Sequence, residues 1–350
     1  AGTGPYPAAP SGDGNRRGDR LISINDFWSG IMSAKDPPVR MLWLSCRNPL
    51  VQDARPSLAR EAMEKLDLVV VADLFLTATA RAADLVLPVT TFFEECDLVM
   101  SYWHYWVSLN EQAIAPPGEA GSDLSIAAAL AGVLNRFSPG SCRFPPVDDP
   151  AWWLDREMNA VMGRLLGIND WRELRAGPRK ASLPVPWHDG EFETASGRIE
   201  LFSPAALADG LPPLPVYIPP SGAPAGYPLR LLTPHFQHGL NSQFPPRGWL
   251  KELHPEPAFY INPQLARERG VVRGSTVRVF NGQGEVVLPV EISLLVPEGV
   301  VLFYQRPVAR DDFAINVLID PVETDMGRHA MGVPGAAFFE AFVDLEVLDN

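Results

Sequence analysis

Between Asp209 and Pro228 the chain places seven prolines and three glycines in twenty residues. Proline withholds a backbone N–H and fixes φ, and glycine adds backbone freedom, so this stretch disfavours both helix and sheet. It divides the 350 residues into two parts whose apolar residues follow different rhythms. At roughly 150 residues per domain the length itself predicts about two domains. The expected organisation is a linker over 1–24, a first domain over 25–208, the proline-rich connector over 209–228 and a second domain over 229–350.

Upstream of the connector, short apolar runs alternate with helical stretches. Val39 to Leu44 reads as a strand, Ser57 to Leu66 as a helix, Asp67 to Ala72 as a second strand and Leu85 to Val89 as a third. Runs that are apolar throughout suit parallel strands covered on both faces, with helices as the crossovers. Ser122-Asp123 caps a helix with apolar residues at Leu124, Ala127, Leu130, Ala131 and Leu134, and Asp149-Pro150 opens another expected to run to about Gly167. The first domain is therefore expected to be α/β with a parallel, Rossmann-like sheet.

Downstream, short strands at Leu229 to Leu232, Thr276 to Asn281, Val286 to Ile292 and Val300 to Phe303 are separated by turn signals such as Asn281-Gly282-Gln283-Gly284. Asn262-Pro263 opens one short helix that ends at Gly270. Closely spaced strands of this kind favour a small barrel.

Several classes are excluded or disfavoured. Acidic residues outnumber basic ones by 42 to 29, a balance that repels polyanions and disfavours generic nucleic-acid binding. Cys46, Cys96 and Cys142 are odd in number and far apart, which excludes a disulfide framework, a CxxC pair and an iron–sulfur cluster ligated within these residues. The longest apolar runs fall well short of the ~18 to 20 residues of a membrane-spanning helix. The sequence opens on Ala1-Gly2-Thr3-Gly4 with no initiator Met, basic region or apolar region, from which a piece of a longer protein is expected.

The residues suited to chemistry lie where strands end. Asp73 follows the second strand, at the carboxyl end where open α/β sheets bind ligands. Its carboxylate can accept paired hydrogen bonds from a guanine edge or a ribose diol, or it can cap the next short helix. Asn48-Pro49 has the same placement after the first strand, and Ser45-Cys46-Arg47-Asn48 offers backbone N–H groups and the Arg47 guanidinium to a phosphate. In the second domain Thr233-Pro234-His235-Phe236-Gln237-His238 follows a strand directly. Two histidines at that spacing lack the third ligand and placed carboxylate of a catalytic zinc, so a polyanionic or heteroaromatic ligand fits better and no metal site is expected. Tyr102-Trp103-His104-Tyr105-Trp106 can stack a base, or fill a core or interface.

Taken in order, these segments resemble the large catalytic subunits of the molybdopterin oxidoreductases, the dimethyl sulfoxide reductase family. The resemblance is carried by Asn48-Pro49, by Val69 to Ala80 with Ala83 to Pro88 and Glu94, and by Ser196 to Leu201. In the second domain it is carried by Leu231 to His235, Ile261 to Pro263, Gly270-Val271 and Val277 to Gly284. There are departures: Cys46-Arg47 replaces glycines before Asn-Pro, Ala78 stands in a frequent Thr-Glu-Thr-Ala, and Cys96 replaces an acidic residue. Glu95-Cys96-Asp97-Leu98 and the aromatic stretch after it are closer to the polysulfide, thiosulfate or sulfoxide reductase branch than to nitrate reductases.

The resemblance implies a bis(molybdopterin guanine dinucleotide) cofactor gripped by the two domains. Asp73 would read guanine, with Asn48 and Thr77 near phosphate or ribose. The second domain would be a six-stranded double-psi barrel whose loop from Thr233 to Ser242, including His235 and His238, and whose Asn316 region touch pterin and diphosphate. It also implies a molybdenum ligand and any iron–sulfur cysteines in an amino-terminal half, no catalytic residue and no redox activity in this piece alone. The partner it implies is an iron–sulfur electron-transfer subunit. The compartment stays open between either face of a bacterial membrane complex and the cytoplasm. Two rival readings remain: a vestigial scaffold protein without cofactor, and a free-standing mononucleotide-binding α/β protein.

Overall fold

The computed structural model describes residues 22–217, 219–220, 222–244, 248–254, 256–305, 313–324 and 334–348. These form two compact units. One comprises the described chain up to Val71, Leu76–Leu85 and the described residues from Tyr217 onward; the other comprises Ala72–Phe75 and Val86–Val216. Compactness thus divides the chain differently from the proline-rich connector, because hydrogen bonds from the segment after the first strand reach the residues that surround the barrel. The described residues of 209–228 carry neither helix nor strand.

Helix α1 (Phe27–Ser33) precedes strand β1 (Met41–Ser45), the short helix α2 (Pro49–Gln52) and α3 (Pro56–Glu64). Ala59, Ala62 and Met63 recur at helical spacing on α3 and are buried. Strand β2 (Leu68–Asp73) buries Val69, Val70, Val71 and Ala72 in succession, as a strand covered on both faces does. Helix α4 (Ala78–Arg81) leads to β3 (Leu85–Pro88), and the three strands form a parallel sheet in the order β1-β2-β3.

The second unit departs from the expected pattern. Strand β4 (Asp97–Ser101) turns at Tyr102-Trp103 into β5 (His104–Asn110), which pairs with β6 (Arg179–Lys180), so these strands make a separate antiparallel sheet. Val107 of β5 packs with Leu166, Ile168 and Leu174. The expected helix capped by Ser122 is α5 (Asp123–Phe137), with Ser122 accepting from Ser125 N–H. The single helix expected from Asp149 to about Gly167 is two helices, α6 (Pro150–Glu157) and α7 (Ala160–Leu166). Asn159 causes the break: its Oδ1 accepts from Val161 and Met162 N–H and starts a new helix. Helix α8 (Pro204–Ala208) closes this part of the chain.

The barrel strands are β7 (Leu229–Leu232), β8 (Phe259–Ile261), β9 (Thr276–Phe280), β10 (Glu285–Ile292), β11 (Val300–Leu302) and β12 (Ala341–Val347), with α9 (Pro263–Glu268) capped by Asn262 between β8 and β9. They close in the order β10-β8-β11-β7-β12-β9, the six-stranded barrel expected. Parallel pairs β10 with β8 and β11 with β7 are threaded among antiparallel ones. Along β7, β9 and β12 alternate residues are buried, so Leu229, Leu231, Val277, Val279, Val343 and Leu345 fill the interior. Phe259 and Phe303, both buried, meet edge to face at 5.8 Å between ring centres.

Candidate cofactor site

The loop after β1 begins with Cys46 in the left-handed region, φ +56°, which turns the chain sharply into Arg47 and Asn48. Arg47 does not stand free for a phosphate. Its guanidinium pairs with Asp53 at 2.7 Å and lies 5.3 Å from the Phe27 ring centre, while Asp53 Oδ2 also accepts from the Trp28 indole at 3.0 Å. Asn48 is buried, and its Oδ1 accepts from the Thr79 hydroxyl at 2.6 Å. Thr79 Oγ1 in turn accepts from Leu50 N–H at 3.1 Å, tying α2 to α4.

Asp73 stands at the carboxyl end of β2 and is half-buried. Its Oδ1 accepts from Phe75 N–H at 3.1 Å, and among the described residues no other hydrogen bond reaches the carboxylate. It does not cap α4. Thr77 does that, accepting from Ala80 N–H at 3.1 Å. Asp73 therefore keeps acceptor capacity, and Leu74, Phe75 and Leu76 beside it are exposed.

Around the barrel, Thr233 is buried directly after β7, and His235 forms an isolated parallel bridge with Gln305 that prolongs the β7–β11 pairing. His235 and His238 are both exposed, and the half-buried Phe236 ring lies edge-on to His238 at 5.7 Å. Ser242 accepts from Gln52 Nε2 at 3.2 Å. Asn316, buried in the 3-10 turn Ile315–Leu318, donates through Nδ2 to the Gln52 carbonyl. Asn48, Ser242 and Asn316, chosen from three separate segments, thus meet on Gln52, a residue that no sequence pattern singled out.

As a donor set, seven of the nine residues fall into two groups, and Thr77 and Thr233 stand apart. Arg47, Asn48, Ser242 and Asn316 spend polar atoms on the protein and shape a wall. Asp73, His235 and His238 keep polar atoms toward solvent, Thr77 anchors a helix start, and Thr233 is enclosed behind its loop. A carboxylate able to accept paired N–H groups, such as Asp73, fits a purine edge or a ribose diol, and the imidazoles of the barrel loop, taken by themselves, fit an anionic or heteroaromatic group. The cysteines do not extend the set. Burial, then the Glu111 and Asp97 carboxylates, push the Cys96 thiol above its ordinary value against an opposing effect of Arg175, which disfavours thiolate. Among the described residues no group of three His, Cys, Asp or Glu could hold a metal ion, and no helix is long and apolar enough to cross a membrane.

Residues 18–133 match the family described as Molybdopterin oxidoreductase, and residues 229–331 match the Molydopterin dinucleotide binding domain. The chain belongs to the dimethyl sulfoxide reductase family of molybdopterin oxidoreductases. Probable oxidoreductase YoaE of Bacillus subtilis is 31% identical over 332 residues, spanning 94% of this chain and 47% of that protein. Dimethyl sulfoxide/trimethylamine N-oxide reductase of Cereibacter sphaeroides is 29% identical over 303 residues, spanning 78% of this chain and 36% of the relative. The chain therefore spans about half or less of the length of these relatives, and it matches their carboxy-terminal part. Acetylene hydratase from Pelobacter acetylenicus shares the fold seen here, with a TM-score of 0.73 at 21% identity over 93% of this chain and 46% of the hydratase.

Proposed function

We propose that the chain is the carboxy-terminal, cofactor-gripping part of a molybdenum-dependent oxidoreductase that holds bis(molybdopterin guanine dinucleotide), with molybdenum ligated from outside these residues. In this reading residues 25–208 and 229–350 are the two gripping domains. When bound, the cofactor supplies two-electron oxygen-atom or hydride-equivalent transfer at its metal. This chain's residues bind and orient it: Asp73 accepts N–H groups of guanine, Thr77 and the turn at Asn48 border ribose and phosphate, and His235 and His238 face pterin or diphosphate. Thr233 and Asn316 back these loops. A sulfoxide or N-oxide reductase-like reaction fits relatives such as dimethyl sulfoxide reductase DmsA of Escherichia coli, 26% identical over 83% of this chain. An iron–sulfur electron-transfer subunit is the proposed partner.

The observation that carries this reading is the Asp73 carboxylate. It ends a buried strand of a family-matched domain, and one of its oxygens takes no hydrogen bond from the described residues. Natively purified full protein should release pterin, and GMP after acid hydrolysis. Asp73→Ala should lower cofactor affinity by roughly ten- to a hundredfold, about 1.5 to 3 kcal/mol for hydrogen bonds to a charged group. Full occupancy in Asp73→Ala would remove Asp73 from the site; protein that carries no pterin at all would support the scaffold reading instead.

A further inference from the structure

Gln52 uses more of its polar atoms on distant segments than any role in a four-residue helix requires. Its Oε1 accepts from Asn48 N–H at 2.9 Å, which closes the start of α2 in the manner of a capping box, and its own N–H returns to the Asn48 carbonyl at 2.9 Å. A cap would need no more. Yet Nε2 also donates to Ser242 at 3.2 Å, at the far end of the loop that begins at Thr233, and the backbone carbonyl accepts from the buried Asn316 amide. Beside it, Arg55, in the left-handed region with φ +53°, pairs with Asp320. One half-buried side chain thereby fixes the Asn48 turn relative to the loop that carries His235 and His238.

We propose that Gln52 is a positioning residue for the cofactor, an amide latch that holds the 233–242 loop in register with the Asn48–Pro49 turn without itself touching the ligand. This rests on the reading that both segments grip a pterin dinucleotide. A planar amide suits the task because it accepts at one end and donates at the other, so both contacts depend on a single rotamer. Releasing it frees the Ser242 end of the loop, while the Asn316 bond, made to the backbone, survives a side-chain change. A gripping surface that must re-order on binding holds its ligand less tightly than one already ordered.

The test uses full-length holoprotein and reads two quantities, the rate at which pterin dinucleotide is lost, followed by pterin fluorescence after gel filtration, and the apoprotein Tm. Gln52→Ala should release the dinucleotide about tenfold faster, as expected for two lost hydrogen bonds, while the apoprotein Tm moves by no more than about 2 °C. Ser242→Ala, a change on a half-exposed loop that leaves folding intact, should reproduce part of this. The double variant should be no faster than Gln52→Ala, since both remove one contact. Unchanged release, additive release in the double variant, or release that rises only in step with a falling Tm would overturn the latch while leaving the cofactor reading in place. Wild-type protein without pterin would overturn both.

Discussion

Asn48 was legible as a residue at a ligand-binding strand end, but its partner was not. The amide turns inward to Thr79, thirty-one positions away, which the sequence displays only as the second threonine of Thr77-Ala78-Thr79-Ala80. Thr79 is fully buried and serves as donor to Asn48 Oδ1 and acceptor for Leu50 N–H. Thr79→Val keeps the volume and removes both, leaving a buried carbonyl and a buried N–H unmatched, at a cost of about 1 to 3 kcal/mol. Thr79→Ser, which retains the hydroxyl, should lose clearly less. Chemical denaturation of the two variants checks this, and a loss in Thr79→Ser as large as that in Thr79→Val would show that the methyl group matters as much as the hydroxyl. The same lesson applies to Arg47: its charge was visible in the sequence, whereas the carboxylate that neutralises it, Asp53, is set by how α2 folds back.

At the scale of elements, periodicity located β2, β7 and α5 almost to the residue, because a buried strand or an apolar helical stripe is written in adjacent positions. It ran α6 and α7 together because a cap at Asn159 competes with continuation only in three dimensions. It also missed β8, whose three residues are recognisable as a strand only once the barrel pairs them, and β12, although its seven residues alternate. The join after α7 depends on charge. Asp155 on α6 accepts from the Trp171 indole at 2.8 Å and from Arg172 at 3.0 Å, and these hydrogen bonds, Trp171 first, hold its carboxyl below the ordinary 3.8. A depressed folded-state pKa contributes stability above the unfolded value and loses it as pH falls through the folded one. Acid titration followed by tryptophan fluorescence should therefore show a transition below pH ~4 that is weakened in Asp155→Asn. An unchanged acid limb would assign the contact to packing of Trp171 alone.

At the scale of the whole molecule, the uniformly apolar runs foresaw a parallel sheet and the family resemblance a six-stranded barrel after it, and both are present. What they left unseen is the grouping of the described chain up to Val71 with the barrel residues, which depends on hydrogen bonds and ion pairs such as Arg55–Asp320 across more than two hundred positions. The barrel's seam lies between its first and last strands, since Leu231 of β7 pairs with Ala341 of β12, and β12 also pairs with β9. A chain ending at Glu340 would lose β12 and bare two strand edges together with the interior lined by Val277, Val279 and Leu231. It should lose the cooperative denaturant transition of the barrel and precipitate; a truncated chain that unfolds cooperatively would show that five strands suffice.

That seam also sets a clock. Because β7 waits for a partner more than a hundred residues further along, the barrel stays open while a ribosome makes everything between them. The exposed strands of the growing chain must be kept from pairing with neighbours for that whole interval, and the loops around the barrel take shape only after β12 has been made. On the proposed reading, cofactor insertion then follows translation of the barrel rather than accompanying it.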